Sequence, residues 1–335
     1  MRSKGKKGNR RVTAGASRHG ESFDDFFGDH YGQRWATLRK SLSLPTSDHA
    51  VLWNKFVKVS FETVMKDMKR VDDTMLLQLF RQAEDGEMAP LVVDEFGVKA
   101  YYPLNYTAAL AVEQLGVQPF DRVLDLCAGS GGKSIAIAQF LSNSALLTSN
   151  EQHGDRFSRL SRNIKEYVPS NYVPITVTQR KAETWFDPST YQRVLVDAPC
   201  TSERRLLQQC GDGVVSSHQW SLQACRELSR HQRALLLCAI ETCLPGGRVV
   251  YTTCSISPLE NDIVVKEALQ RTRCQVQLVP VSIEIGEVTE CGRIVLPDRD
   301  GGRGPAYYSI IHKISERRED SSEDESESNN GSAAD

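Results

Sequence analysis

Beyond Pro119, short apolar runs alternate with segments of helical length. The strand-like runs are residues 122–126, 145–148, 175–177, 193–196 and 248–252. The segments with helical spacing are residues 134–141, 156–167, 219–243 and 259–270. This alternation predicts an α/β fold with a doubly wound, mostly parallel sheet, which binds its ligands beyond the carboxyl ends of the strands. We expect residues 307–312 to form a short strand that closes the domain as an edge.

The first hundred residues have a different pattern. Aromatic and aliphatic residues recur at roughly helical spacing over 24–44, and the same style continues over 61–79. Residues 92–102 are rich in β-branched and aromatic side chains, typical of a hairpin or a linker. We therefore predict an N-terminal helical region over 21–100, followed by the α/β domain over 101–315.

Composition excludes some classes of protein. The chain has 335 residues, of which 40% are hydrophobic, enough to build a core. It contains no apolar run of the ~18–20 residues that a membrane helix needs, and no apolar signal segment near Met1. The nine cysteines are scattered without CxxC spacing, which argues against a disulfide scaffold and against a structural zinc site. We expect no membrane association and no metal.

The net charge of −2 conceals an asymmetry between the ends of the chain. Residues 1–20 carry +7, residues 316–335 carry −6, and the body between them carries −3. We predict a disordered basic arm over 1–20 and a disordered acidic tail over 316–335. The arm fits an organelle transit peptide and a nucleic-acid-binding arm equally well. A nucleic-acid-binding protein with an acidic body needs a local basic patch, its arm or a partner.

The first predicted strand leads directly into a glycine-rich loop. The loop consists of Cys127, Ala128, Gly129, Ser130, Gly131, Gly132 and Lys133. Lys133-Ser134 resembles the end of a phosphate-binding P-loop, but the first glycine that this motif needs is Cys127. Gly129-x-Gly131 fits a nicotinamide dinucleotide, but the third glycine position is Ser134. S-adenosylmethionine, which needs close backbone approach and nearby carboxylates, is the third candidate.

An acidic residue at the end of the second strand is suited to hold ribose hydroxyls. Glu151 occupies this position, about 20 residues beyond the loop. Glycine loop and acid together indicate a nucleotide-like cofactor, and they leave its identity open among the three candidates.

Two cysteines follow two strand ends. The fourth strand leads through Asp197-Ala198-Pro199 to Cys200, and the fifth leads through Thr252-Thr253 to Cys254. Because the first, fourth and fifth strands of a doubly wound sheet are neighbours, their ends should converge on one crevice. A lone cysteine at a strand end is more often a small buried hydrophobe. Two cysteines at equivalent strand ends, one of them preceded by Asp-x-Pro, instead favour a catalytic role.

The segments DLCAGSGGKS, VDAPCT and YTTCS, in this order, resemble the motifs of the Sun-type RNA 5-methylcytosine methyltransferases, related to bacterial Fmu. The resemblance covers about residues 101–313. The ending Ile294-Val295-Leu296-Pro297 … Gly304-Pro305-Ala306-Tyr307-Tyr308 and the early Phe27-Gly28 … Trp35 … Arg39 segment resemble the mitochondrial branch, and the Gly-Phe-Phe ending of most other members is absent.

The resemblance implies a Rossmann-like class I fold and S-adenosyl-L-methionine as cofactor. It also implies transfer of a methyl group to C5 of cytosine in RNA. The mitochondrial branch implies ribosomal RNA in a ribosomal subunit precursor, an mTERF-like helical protein partner and a mitochondrial location, with nucleus and cytoplasm as alternatives.

The resemblance also implies a role for each matching side chain. Cys254 would attack cytosine C6, and Cys200 would assist elimination of the enzyme after the C5 proton leaves. Asp197 would contact the N3/N4 edge of the base, and Lys133 would favour the thiolate. The cofactor would be held by residues 127–133, Glu151, Arg156 and Asp197.

The chain departs from the family pattern at two positions near the cofactor. Gly129-Ser130 replace the usual Ala-Pro, and an Asp expected near the adenine is missing from residues 179–183, where Glu183 is a possible substitute. These departures leave a second hypothesis about function open, in which the protein is a ribosome-assembly or RNA-binding scaffold without catalytic activity. The intact Cys200, Cys254 and Asp197 oppose that reading. A nicotinamide oxidoreductase would have no use for paired cysteines.

Overall fold

The computed structural model describes residues 22–66, 68–82, 90–211 and 213–317. The predicted disordered arm over 1–20 lies outside the described residues. So does the predicted acidic tail, apart from residues 316 and 317.

The N-terminal part combines helices with a small antiparallel sheet. Its elements are α1 (Phe23–Tyr31), a 3-10 turn (Gly32–Arg34), α2 (Trp35–Ser43), β1 (Val51–Trp53), α3 (Phe61–Val64), β2 (Met68–Arg70), β3 (Leu79–Gln82) and β4 (Tyr101–Pro103). The strands pair in the order β2-β3-β1-β4. The predicted helical region over 21–100 is therefore wrong beyond α2, apart from the single turn of α3. Residues 51–53 are an apolar run buried on both faces, and such short runs do not distinguish strand from helix by spacing.

The larger part is an α/β layer structure. Its elements are α4 (Tyr106–Leu115), β5 (Arg122–Asp125), α5 (Gly132–Ala138), β6 (Leu146–Asn150), α6 (Gly154–Tyr167), β7 (Ile175–Thr178), a 3-10 turn (Ala182–Thr184), β8 (Tyr191–Asp197), α7 (Glu203–Cys210), α8 (Leu222–Thr242), β9 (Cys243–Thr253), α9 (Asp262–Arg271), β10 (Gln275–Val279), β11 (Glu287–Val288), β12 (Arg293–Val295) and β13 (Ala306–Ser315). None of the helices in the described ranges has the length and apolar character needed to cross a membrane.

The sheet order confirms the doubly wound, mostly parallel prediction. The strands run β7-β6-β5-β8-β9 in parallel, and β13, β12 and β11 continue the sheet with antiparallel pairings. The prediction that residues 307–312 form an edge is wrong. β13 is internal, because it pairs with β9 on one side and with β12 and β10 on the other. The sequence reasoning missed β10 to β12, whose pairing supplies those neighbours.

Both faces of the large sheet are covered. Val123 and Leu195 belong to a buried cluster with α4, α5, α6 and the small sheet. Leu124 and Val194, one residue along each strand, belong to a second cluster with α1, α2, α8 and α9. Successive side chains of a strand point to opposite faces. A strand that is covered on both sides therefore needs apolar residues at every position, and its sequence is a continuous apolar run.

The start of α1 is determined locally. The Ser22 side chain accepts a hydrogen bond from the Asp25 backbone N–H, and the Asp25 side chain accepts from the Ser22 backbone N–H. This capping box satisfies two of the free donors at the helix start. Phe23, the first residue of the helix, and Phe27, one turn further on, are both buried.

An aromatic cluster holds α1 and α2 against the α/β layers. The Phe27 ring centroid lies 5.3 Å from that of Trp35 and 5.8 Å from that of Trp220, which precedes α8. Phe27 has no exposed surface. Aromatic pairs at these separations contribute beyond the area that they bury.

We expect Phe27→Ala to lower the free energy of unfolding by about 3–5 kcal/mol, because it leaves a cavity in this cluster. Urea denaturation measures the change. Phe186→Ala is the matched control. Because Phe186 is 83% exposed, its substitution should change the free energy of unfolding little. Equal effects of the two substitutions would contradict a stabilising role for the cluster.

Candidate active site

The glycine loop connects the end of β5 to the start of α5. Gly129 and Gly131 have φ angles of +59° and +97°, in the left-handed region that favours glycine. A Cβ on Gly131 would lie 2.8 Å from Leu160 Cδ1, so this glycine also lets α6 pack against the loop. The Asn163 side chain of α6 donates to the Ser130 carbonyl over 2.8 Å. The loop shape therefore depends on α6 as well as on its own glycines.

Asp125, the last residue of β5, is fully buried under this loop. Its Oδ2 accepts from the Ser134 hydroxyl over 2.6 Å, and its Oδ1 has no hydrogen-bond partner among the described residues. Burial, reinforced by the charge of Asp197, raises the pKa of Asp125 to about 7. Sequence reasoning did not select Asp125, although a single acid at the end of an apolar strand is a signal that could have found it.

Glu151 follows the end of β6 and is only 4% exposed. Its Oε1 accepts from the His153 backbone N–H over 2.8 Å and lies 3.4 Å from the Arg156 guanidinium. The preceding Asn150 donates to the Leu126 and Arg180 carbonyls and fixes the strand end. The predicted pair of Glu151 and Arg156 is thus brought together at a strand end.

A cavity of about 310 Å³ opens between the glycine loop and the end of β6. It is lined by Cys127, Gly129, Glu151, Arg156, Glu183, Asp197, His231 and Cys254, among others. Five other predicted loop residues do not line this cavity. Four of them shape the loop instead: Ala128, Ser130, Gly131 and Gly132. The fifth, Lys133, lines the neighbouring cavity. A buried carboxylate beside a glycine loop fits S-adenosylmethionine, whose ribose hydroxyls need an acceptor.

Lys133 and Asp197 form an ion pair. Lys133 Nζ lies 2.6 Å from Asp197 Oδ2. Burial alone would lower the pKa of Lys133, but the charge and the hydrogen bond of Asp197 raise it above its ordinary value. Lys133 is therefore a cation already paired with a carboxylate, which limits its electrostatic effect on nearby thiols.

The sulfurs of Cys200 and Cys254 are 3.0 Å apart. The Ser202 hydroxyl oxygen lies 3.1 Å from Cys254 Sγ and 3.4 Å from Cys200 Sγ. The hydrogen bond with Cys200, helped by Ser202, lowers the pKa of Cys254 against the effect of burial, and Lys133 contributes less. The same hydrogen bond, together with burial, raises the pKa of Cys200. One thiol of the pair thus ionises more readily than the other.

A second cavity, of about 360 Å³, adjoins the first. Asp197, Ser202, Arg205 and Cys254 line both, so they form the wall between the two spaces. Sequence reasoning missed Ser202 and Arg205. Both follow Cys200 within five residues, and this closeness to a candidate catalytic cysteine could have indicated them. In the described ranges, no three His, Cys, Asp or Glu side chains are arranged to hold a metal ion.

Two RNA methyltransferases are similar in sequence to much of this chain. The 5-cytosine rRNA methyltransferase NSUN4 of Xenopus tropicalis is 32% identical over 239 residues, which is 66% of this chain and 58% of the frog protein. The mitochondrial tRNA (cytosine(34)-C(5))-methyltransferase of Danio rerio is 30% identical over 323 residues, which is 87% of this chain and 86% of the fish protein.

Solved structures have the same fold. The structure of NSun6 from Pyrococcus horikoshii with SFG has a TM-score of 0.67, at 18% identity, covering 87% of this chain and 96% of that one. At this identity the likeness shows the fold alone, and it confirms the predicted Rossmann-like α/β class.

A family profile completes the comparison. The profile described as 16S rRNA methyltransferase RsmB/F matches residues 112–309, more than half of the chain. The predicted family is thereby confirmed. The chain belongs to the RsmB/F family, the RNA cytosine-C5 methyltransferases that take their methyl group from S-adenosylmethionine.

Proposed function

We propose that this protein methylates C5 of a cytosine in RNA through a covalent bond between Cys254 and C6 of the base. One observation carries the proposal: Cys254 lies in the wall between two cavities, and its sulfur has a thiol and a hydroxyl within hydrogen-bond reach. A nucleophile in that wall can contact a base in one cavity while the methyl donor occupies the other.

The opposite pKa shifts of the two thiols support the assignment of their roles. Thiolate, not thiol, is the reactive form of cysteine. Cys254 has the lowered pKa and Cys200 the raised one, so Cys254 is the nucleophile and Cys200 donates its S–H to it. This assignment agrees with the roles that the family resemblance implies.

The reaction begins when Cys254 Sγ adds to C6 and makes C5 nucleophilic. Bound S-adenosylmethionine supplies the electrophilic methyl group in the adjoining cavity. Asp197, held by Lys133, accepts a hydrogen bond from the N4 amino group. N3 takes up a proton from solvent water as charge develops on the ring, and it returns that proton to water when the adduct breaks down.

Release of the product requires a base for the C5 proton. Cys200 acquires this ability because bond formation removes the thiolate charge of Cys254, which had kept the Cys200 proton in place. Cys200 then gives its proton to solvent water and takes the C5 proton. The C6–sulfur bond breaks, and its electron pair returns to Cys254 as a thiolate.

The substrate that we propose is ribosomal RNA of a mitochondrial ribosomal subunit precursor. The name of the frog relative and the resemblance to the mitochondrial branch support this choice. The acidic body, with its charge of −3, indicates that targeting depends on the basic arm or on an mTERF-like helical partner. The fish relative is named for a tRNA, so separating labelled rRNA from labelled tRNA after reaction with mitochondrial RNA decides between the two.

Cys200→Ala should accumulate a denaturant-resistant protein–RNA adduct, since attack and methyl transfer proceed while elimination stalls. Cys254→Ala should form no adduct and transfer no methyl group. A shifted gel band detects the adduct, and labelled cofactor measures the transfer. Cys238→Ala is a matched control, since that half-buried thiol lines neither cavity.

The double variant should lose the band, because the trapped species needs the Cys254 sulfur. Trapping by Cys254→Ala alone would mean that the two roles are exchanged. If no variant traps RNA and the wild type methylates no RNA, the scaffold function replaces the enzymatic one.

Glu151→Ala should weaken S-adenosylmethionine binding about tenfold or more, because a charge-assisted hydrogen bond is worth about 1.5–3 kcal/mol. Isothermal titration calorimetry measures the affinity. Glu95→Ala removes an exposed carboxylate elsewhere and should bind the cofactor normally. An unchanged affinity in Glu151→Ala would exclude this residue from the cofactor site.

Arg205→Ala should raise KM for RNA severalfold with little change in kcat. Arg205 is exposed, lines both cavities and has no ion-pair partner among the described residues, so its guanidinium is available for a backbone phosphate. Steady-state kinetics at several salt concentrations tests this, with Arg226→Ala, an exposed arginine of α8, as control. A fall in kcat alone would exclude the phosphate role.

A further inference from the structure

Two carboxylates that the reaction does not use lie beneath the thiol loops. Glu203 begins α7, three residues after Cys200, and Glu260 lies six residues after Cys254, just before α9. Both are fully buried. Among the described residues, no lysine, arginine or histidine nitrogen lies within 4.0 Å of either carboxylate. Two buried acids without a cation are costly unless they are otherwise compensated.

Two hydroxyls bridge the two acids. Thr201 Oγ1 is hydrogen-bonded to Oε1 of both Glu203 and Glu260. Ser255 Oγ lies 2.9 Å from Glu203 Oε1 and 3.1 Å from Glu260 Oε1. Each hydroxyl has one proton to donate, so two protons serve four short contacts. A proton on one carboxyl supplies a third donor, which indicates that the pair is not doubly ionised.

The surroundings of the two acids identify the one that carries the proton. Glu260 Oε2 accepts from the Thr201 backbone N–H over 3.0 Å and from Gln232 Nε2 over 2.8 Å. Glu203 Oε2 accepts from the Ile256 backbone N–H, over 3.1 Å, and no amide side chain within the described ranges donates to it. Hydrogen bonds to the ionised form favour that form, and Glu203 receives fewer of them, so the shared proton belongs on Glu203. Burial, followed by the charge of Glu260, raises the pKa of Glu203 to about 8.

The bridging hydroxyls belong to the residues next to the reactive thiols. Thr201 follows Cys200, and Ser255 follows Cys254. We infer that Glu203 and Glu260 share one proton and act as a clamp that holds the Cys200 and Cys254 loops at the separation which pairs their sulfurs. The two acids are positioning residues, and the inference rests on the proposed roles of the two thiols.

Other titratable side chains in the described ranges also face the pair, and burial keeps them neutral. Tyr251 of β9 donates to the Glu260 carbonyl over 2.6 Å, and burial raises its pKa. Tyr31 of α1 donates to the Ile256 carbonyl over 2.7 Å, and Cys225 of α8 lies 3.5 Å from Glu260 Oε1. Burial raises the pKa of both. Loss of the shared proton above about pH 8 therefore sets two uncompensated charges against each other at the junction of the loops.

The test compares Glu203→Ala, which removes the clamp, with Glu203→Gln, which mimics the neutral acid. Two readouts are used: kcat for methyl transfer, and the yield of the Cys200–Cys254 disulfide after treatment with diamide, mapped by peptide mass spectrometry. Glu203→Ala should lower kcat about tenfold to hundredfold, leave KM for the cofactor nearly unchanged and reduce the disulfide yield. Glu203→Gln should restore both readouts.

The pH profile gives a further readout that a purely structural role would not change. The wild type should lose kcat above about pH 8, whereas Glu203→Gln, which has no proton to lose, should keep it. Thermal unfolding checks that each variant is folded. If Glu203→Ala does not fold, Thr201→Val, which removes one bridging hydroxyl, takes its place and should reduce the disulfide yield.

If Glu203→Ala keeps the full disulfide yield and the full kcat, the inference is wrong. So would a Glu203→Gln variant as impaired as Glu203→Ala, because the shared proton would then be wrong. The disulfide readout needs no activity. A wild type without methyl transfer but with a clamp-dependent disulfide yield would contradict the proposed function and leave the clamp standing.

Discussion

The parallel register between β8 and β9 is the constraint on which the site depends. Asp197 lies opposite Thr252, so Cys200 and Cys254 emerge beside each other from adjacent strand ends. A slip of one residue would turn every side chain of one strand to the other face. Both faces of the sheet are packed, by the clusters that contain Val194 and Leu195, and this packing makes such a slip costly.

The electrostatics of the site follow from its many acids. Asp125, Glu151, Glu203 and Glu260 are buried around the thiols, whereas the cations paired with acids at this site, among the described residues, are Lys133 with Asp197 and Arg156 with Glu151. The surplus acidity explains why hydrogen bonds, more than a neighbouring cation, lower the pKa of Cys254. It also means that a polyanionic substrate must be met by side chains at the cavity rim, by the basic arm or by a partner.

The first cavity fits the cofactor, so we assign the second cavity, of about 360 Å³, to the base. Residues from the N-terminal and C-terminal parts of the chain complete this second cavity. Thr46 and Asp48, which precede the small sheet, line it together with Gly304 and Ala306 near the start of β13. Arg204 of α7 joins the two segments, because its guanidinium donates to carbonyls of Leu44, Pro45, Gly302 and Gly304. The α/β layers alone would leave this cavity open on one side.

The sequence by itself determined the parallel half of the sheet, the glycine loop, and the meeting of Cys200, Cys254 and Asp197. These follow from local apolar runs, from glycines at a strand end and from the rule that neighbouring parallel strands end together. Tertiary structure decided the small N-terminal sheet, the internal place of β13 and the Glu203–Glu260 pair. Each of these depends on contacts between residues far apart in the chain, such as the hydroxyl bridges from Thr201 to Glu260 and from Ser255 to Glu203. Spacing along the sequence carries no signal for such contacts, because burial and pairing are decided only when distant segments pack.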